Sequence, residues 1–245
     1  MADDHAGGRG YMRILDLLYP EKCVFCGSLV YGGERVCLDC SRHLPYVTEP
    51  VCRHCGKPIE DERVTLCSDC ERRGISFIDE TASLWIYEDP VKSALMDFKY
   101  GGCTSDADFY AKELVDRYAR RIRAWSPDAL VPVPIHRRRQ WFRGYNQATE
   151  LAFHIGRRLG IPVAELLVRD RYTAPQKSLS PSERRANLRD AFSVDIDMEP
   201  DRYGSVLLID DIYTTGATLE SCAEHLKDAG VQRVYGMCLC AGSGS

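Results

Sequence analysis

Four CxxC pairs, Cys23/Cys26, Cys37/Cys40, Cys52/Cys55 and Cys67/Cys70, use eight of the twelve cysteines. The gaps between them are ten, eleven and eleven residues. A CxxC knuckle presents two thiolates from one tight turn, and two knuckles complete the tetrahedral four-sulfur shell that zinc prefers. The competing reading is a disulfide scaffold. The chain opens MADDHAGGRGYMR, with acids and glycines where a secretory signal carries an apolar core. A reducing, cytoplasmic setting is therefore expected, and metal is favoured over disulfide. Four thiolates close the coordination sphere, so two structural Zn2+ ions are expected rather than a catalytic one. They replace a core that about fifty residues can scarcely build. The knuckles can pair sequentially, as Cys23, Cys26, Cys37, Cys40 and Cys52, Cys55, Cys67, Cys70, or in a cross-braced pattern. Each short gap suits a hairpin, which favours the sequential pairing. The module is assigned to residues 18–75.

Beyond Ile78 the pattern changes. TASLWIY reads as a strand, PVKSALMDFKY as a helix with proline in its first turn, and Asp106 to Trp125 as a longer helix. ALVPVP, VAELLVRD, VLLID and VQRVYGMCLCAG read as strands. Asn146 to Leu159 and Gly216 to Ala229 read as the helices between them. Alternation of this kind predicts an α/β domain with a parallel sheet over residues 76–242. Cys103, Cys222, Cys238 and Cys240 lack knuckle spacing and are read as core residues. Asp170 to Asp201 is polar, without long periodicity, and is expected to be a functional loop. No apolar run approaches the roughly 20 residues that span a bilayer, so no membrane insertion is expected.

The chemistry concentrates in VLLIDDIYTTGAT, Val206 to Thr218. Four apolar residues without polar alternation suit a strand buried on both faces, which puts the reactive groups at its C-terminal end. Asp210 and Asp211 accept hydrogen bonds only, which suits neighbouring sugar hydroxyls. Thr214, Thr215, Gly216, Ala217 and Thr218 can open a helix whose N-H groups and dipole favour a phosphate.

The net charge of -4 conceals an asymmetry. Arg117 to Arg189 holds 16 Lys+Arg against 5 Asp+Glu, leaving 16 against 31 elsewhere. A block of this sign is either a solvated face or a match for phosphates or nucleic acid. It contains VPVPIHRRRQWFRGYNQA, with Arg137, Arg138, Arg139 and Arg143. It also contains PQKSLSPSERRANLRDAF, with Gln176, Lys177, Arg184, Arg185, Asn187 and Arg189. Guanidinium forks suit pyrophosphate oxygens, a role favoured for Arg143 and Arg184; Arg138 and Arg139 are read as solvated. His136 is assigned to packing or a backbone contact. Trp141, Phe142 and Tyr145 could stack on bases, but packing beneath the loop is preferred.

Taken together, these motifs resemble the ComF family, across nearly the whole chain. The resemblance implies a parallel-sheet type I phosphoribosyltransferase (Rossmann-like) domain preceded by a small four-cysteine zinc-ribbon module. VLLIDDIYTTGAT resembles the motif that binds phosphoribosyl pyrophosphate (PRPP), which would put Asp210 and Asp211 on the ribose and Thr214 to Thr218 on the 5'-phosphate. FKYGG, Phe98 to Gly102, resembles the family's lysine-containing turn and brings Lys99 into the site alongside Arg137, Arg143 and Arg184. The family commonly follows Gln176 with Thr where this chain has Lys177. It further implies Mg2+ with PRPP, and a link to DNA uptake in natural transformation. Two functional classes follow. One is a Mg2+-dependent phosphoribosyltransferase. The other is a non-catalytic PRPP-sensing or single-stranded-DNA-binding adaptor with DNA or DNA-uptake proteins as partners. An unrelated nucleotide fold is disfavoured, because neither GxxxxGK[ST] nor GxGxxG is present.

Overall fold

A computed structural model describes residues 21–74, 76–102, 104–169 and 191–242. The chain divides into two compact units, Met1–Leu44 and Pro45–Ser245.

In the first unit, β1 (Glu21–Lys22) and β2 (Leu29–Val30) form a small antiparallel ladder, and α1 (Leu38–His43) follows. Gly27 closes the knuckle turn at φ +73°, donating its N-H to the Cys23 carbonyl over 2.9 Å. Only a residue without Cβ adopts this conformation freely.

The second unit begins with a repeat of that design. Gly56 turns the second knuckle at φ +68° and donates to the Cys52 carbonyl over 2.9 Å. The helix α2 (Ser68–Arg73) then carries Cys70. Here the ribbon is built into its neighbour. The Thr81 N-H donates to the His54 carbonyl over 2.9 Å, and a Cβ on Gly56 would come within 2.6 Å of the Thr81 carbonyl. Cys52, Cys55, Cys70 and Ile78 share one apolar cluster with Val206, Leu208, Tyr213, Leu219 and Cys238.

The rest is the expected alternation: β3 (Glu80–Ile86), α3 (Val91–Tyr100), α4 (Asp106–Trp125), β4 (Ala129–Pro132), α5 (Arg137–Arg143), α6 (Gln147–Leu159), β5 (Leu167–Arg169), β6 (Phe192–Val194), β7 (Ser205–Tyr213), α7 (Ala217–Asp228) and β8 (Arg233–Ala241). Four strands form a parallel sheet in the order β3-β8-β7-β4. Successive strand residues face opposite sides. Val206, Leu208, Val234 and Cys238 join Leu219, Cys222 and Leu226 of α7 on one side. On the other, Leu130 approaches α6 at Gly156, and α6 packs on α4. With both sides covered, Val206, Leu207, Leu208 and Ile209 are wholly buried. Each such side chain stabilises the fold by about 1.5–3 kcal/mol. Asn146 caps α6, its side chain accepting from the Ala148 N-H over 3.1 Å.

Both sheet edges are occupied by backbone. Along β3, the Val47 N-H donates to the Leu84 carbonyl over 2.9 Å and the Ile86 N-H to the Pro45 carbonyl over 2.7 Å. Along β4, the Leu130 N-H donates to the Pro162 carbonyl over 2.8 Å and the Ala164 N-H to the Leu130 carbonyl over 2.9 Å.

VAELLVRD departs from expectation. It contributes a single parallel bridge, Leu130 with Val163, and then β5, which pairs antiparallel with β6 outside the main sheet. Its apolar run serves two ladders in turn, which periodicity alone does not separate. The predicted loop Asp170 to Asp201 contains β6 and two 3-10 turns, Ile196–Met198 and Pro200–Arg202; residues 170–190 lie outside the described residues. Cys222, Cys238 and Cys240 are buried, as expected of core cysteines, and Cys103 lies outside the described residues.

Candidate functional site

The cysteines gather sequentially. Cys23, Cys26, Cys37 and Cys40 form one cluster, and Cys52, Cys55, Cys67 and Cys70 the other, with sulfurs within 4.8 Å of one another in each. A tetrahedral zinc with Zn-S of about 2.3 Å requires S to S separations of about 3.8 Å. Cys26 and Cys37 are 3.7 Å apart at Sγ, and Cys55 and Cys67 are 3.6 Å apart. Backbone N-H groups point at the sulfurs: Cys37 N at Cys23 Sγ (3.4 Å) and Cys67 N at Cys52 Sγ (3.3 Å). Two structural zinc ions fit these clusters.

The acid pair lies near the C-terminal end of β7, a central strand. Being consecutive, the two acids point to opposite sides of the sheet. Asp210 lies on the α7 side, opposite Cys238 in register, and its Oδ1 accepts the Asp211 N-H over 2.8 Å. Burial and then the neighbouring Asp211 charge raise its pKa to about 7, against the opposing charges of Lys99 and Arg169. Asp211 meets Lys99 from the end of α3, Nζ to Oδ2 2.8 Å, with both side chains largely buried at 15% and 16% exposure.

After Tyr213, Thr214 and Thr215 are exposed, and Gly216 turns at φ +75° as N-cap of α7. Gly216 has no side chain with which to cap the helix, which suits an external anion at the first-turn amides. A Cβ there would collide with the Tyr213 hydroxyl and lie 3.0 Å from Arg73 Nη1. Ala217 and Thr218 begin the helix, half-buried.

The basic segment joins the lysine turn. Arg143 Nη2 donates to Tyr100 Oη over 2.9 Å, its guanidinium 4.7 Å from the Tyr100 ring, and Nη1 donates to Gln147 Oε1 over 3.0 Å. Gln147 Nε2 donates to the Lys99 carbonyl over 3.3 Å, and the Tyr145 hydroxyl donates to the Phe98 carbonyl. These ties connect FKYGG, the second half of the arginine motif and Asp211. Arg137 stands exposed at the start of α5, and Arg184 lies outside the described residues. His136 makes the backbone contact expected of it, accepting the Arg138 N-H at Nδ1 over 3.1 Å. The packing reading fails for two aromatics: Trp141 is 89% and Phe142 77% exposed, because the short helix α5 buries no side chain.

Sequence reasoning missed Arg73, Glu220 and Arg169. Arg73 and Glu220 meet beside the loop of residues 214–216, while Arg169 is half-buried on β5 and its charge acts on Asp210. Only Arg73 carried a signal, its place one helical turn after Cys70.

An acid pair at the mouth of a parallel sheet, continuing into a glycine-capped loop and preceded by paired ribbons, defines a phosphoribosyltransferase-fold protein with a double zinc ribbon. Comparison with known families agrees: residues 14–71 match the double zinc ribbon domain and residues 145–245 the phosphoribosyl transferase domain. Competence protein F of Haemophilus influenzae is 31% identical over 218 residues, covering 87% of this chain and 93% of its own length. DNA utilization protein YhgH of Escherichia coli strain K12 is 29% identical over 229 residues, covering 91% of this chain and 98% of its own. Competence protein ComFC of Bacillus subtilis is 28% identical over 210 residues, 82% of each chain. The chain belongs to the ComF family.

Proposed function

We propose that this protein binds PRPP with Mg2+ and transfers its phosphoribosyl group to an acceptor during the handling of incoming DNA. One observation carries the reading: Asp210 and Asp211 lie in the last half of a central parallel strand that runs on through Tyr213 into the Gly216-capped loop, with Lys99 on Asp211. Asp210 and Asp211, projecting to either side of β7, each accept from a hydroxyl of a ribose that sits across the strand. The Thr214 to Thr218 amides take the 5'-phosphate. Lys99, Arg137 and Arg143 are assigned to the pyrophosphate, together with Arg184, which the resemblance adds from outside the described residues. Mg2+, when bound, supplies further positive charge to that leaving group. As the C1-oxygen bond breaks, charge separates between sugar and pyrophosphate, and fixed carboxylates and cations stabilise both ends without a covalent nucleophile. The raised pKa of Asp210 moderates its repulsion from the incoming anion. Zinc shapes residues 18–75, while the PRPP chemistry falls to residues 76–242. The names of the relatives support the link to competence and DNA use. No helix among the described residues is long and apolar enough to cross a membrane, and a cytoplasmic setting is part of the proposal.

Calorimetry with PRPP and Mg2+, followed by a pyrophosphate-release screen over bases and other acceptors, tests the reading. Asp211→Asn is expected to keep the fold, weaken PRPP binding about tenfold or more and abolish release. Wild type and variant indistinguishable in both binding and turnover would sink it.

The exposed Trp141 and Phe142 favour a second reading, in which α5 stacks single-stranded DNA among Arg137, Arg138 and Arg139. Oligothymidine affinity should then fall steeply with salt, and Trp141→Ala with Phe142→Ala should cost about 1–3 kcal/mol per lost stack. An absence of binding at low salt removes this reading.

A further inference from the structure

We infer that Arg73, the last residue of the second ribbon's helix, is a positioning residue for the phosphate loop, a role that rests on the PRPP reading above. The helix α2 places Cys70 in the metal cluster and Arg73 one turn later. The Arg73 guanidinium reaches across to the loop. Nη2 donates to the Thr215 carbonyl, while Nη1 donates to the Tyr213 hydroxyl (3.2 Å) and to Glu220 Oε1 (3.0 Å). Arg73 therefore holds the strand end, the loop and the first turn of α7 with one planar group. A lysine ammonium also has three donors, but all on one nitrogen, so it lacks the planar spread with which the guanidinium reaches the three.

Glu220 completes the brace from the same side. Its carboxylate also accepts from Ser76 Oγ (2.7 Å) and the Phe77 N-H (3.0 Å), and lies 3.4 Å from His54 Nε2. Arg73 and Glu220 are 14% and 15% exposed at their side chains. Burial raises the Glu220 pKa, but hydrogen bonds from His54, Ser76 and Phe77 and the Arg73 charge outweigh it and hold the group ionised. A buried guanidinium bonded through one nitrogen to a buried carboxylate is a rigid joint rather than a surface contact.

The consequence for ligand binding follows from peptide geometry. In a planar trans peptide the carbonyl and the following N-H point in opposite directions. Fastening the Thr215 carbonyl to Arg73 turns the Gly216 N-H away from the ribbon, where it is set to meet the proposed 5'-phosphate. The bond to Glu220 simultaneously fixes the first turn of α7. Donors set in advance bind an anion without an ordering cost, and donors left to wander do not.

The test uses the full-length, zinc-loaded chain and three probes: PRPP with Mg2+, ribose 5-phosphate, and pyrophosphate with Mg2+. Arg73→Met is expected to weaken PRPP and ribose 5-phosphate by a similar factor, at least about tenfold, while pyrophosphate changes less than about twofold. Arg73→Lys should recover part of the loss, with zinc content unchanged at two per chain. Ribose 5-phosphate binding as in wild type, or equal losses for all three probes, overturns the positioning role. If Arg73→Met does not fold, Arg73→Lys decides alone, and unchanged ribose 5-phosphate affinity there overturns it. A wild-type chain that binds none of the probes would instead sink the PRPP reading itself, and this inference with it.

Discussion

Cys70→Ser is expected to unfold far more than a ribbon. Structural zinc contributes about 10–16 kcal/mol to small domains, comparable with or above the 5–15 kcal/mol net stability of a whole domain. Cys70, Cys52 and Cys55 lie in one apolar cluster with Val206, Leu208, Leu219 and Cys238, so the core of the sheet is partly lined by the ribbon. Loss of this metal should expose Ile78 and Tyr213 and lower the main unfolding transition by more than 15 °C, a shift of several kcal/mol at about 2–4 °C per kcal/mol for a domain of this size. The matching change in the first cluster, Cys37→Ser, should release one zinc and leave the transition of Pro45–Ser245 close to wild type. Metal analysis with calorimetric melting checks both. Equal shifts for the two variants would show that the ribbons are energetically equivalent, contrary to expectation.

Asp210→Asn is expected to make the free protein more stable, increasingly so as pH rises. The Asp210 pKa lies near 7 in the fold, against an ordinary value of 3.8. A folded-state pKa above the unfolded value means that the folded chain holds the proton more tightly. The stability this contributes is fully present below about pH 4 and lost as pH climbs to about 7. The slope is at most about 1.4 kcal/mol per pH unit, giving a total on the order of 4 kcal/mol. Asn keeps the Oδ1 that accepts the Asp211 N-H and carries no charge to bury. Urea unfolding of both proteins between pH 4.5 and 8 should therefore show the variant gaining on wild type through this window. A constant difference would place the titration elsewhere. The same substitution removes a proposed ribose contact, so the stabilised variant should be a poorer PRPP binder.

The sequence showed clearly the parts of the fold that depend on local pattern. VLLID, with four consecutive apolar residues, announces a strand covered on both sides, and Asp106 to Trp125 announces its helix to the residue. Regular CxxC spacing anticipated both clusters, because a knuckle is a local turn. The parts that depend on tertiary contact were hidden. VAELLVRD is apolar enough for a central strand, but its pairing is decided by where residues 192–194 return. Trp141 and Phe142 look like core residues by type, yet α5 buries none of its side chains and both stand exposed. Glu220 reads as an ordinary first-turn acid, favoured there by the helix dipole. Its four partners come from residues more than 140 positions earlier in the chain. No spacing rule connects such distant residues.

The occupied edges of the sheet bear on assembly. An open edge is a template on which another chain, or a second copy, can add a strand. Here Pro45 to Val47 already run along one border and Pro162 to Ala164 along the other. Strand exchange between copies, and capture of an extended peptide by the main sheet, are thus blocked at both margins. Among the described residues, association through the main sheet is left to side chains presented by helices and loops, which solvent, salt and point substitution can tune one residue at a time.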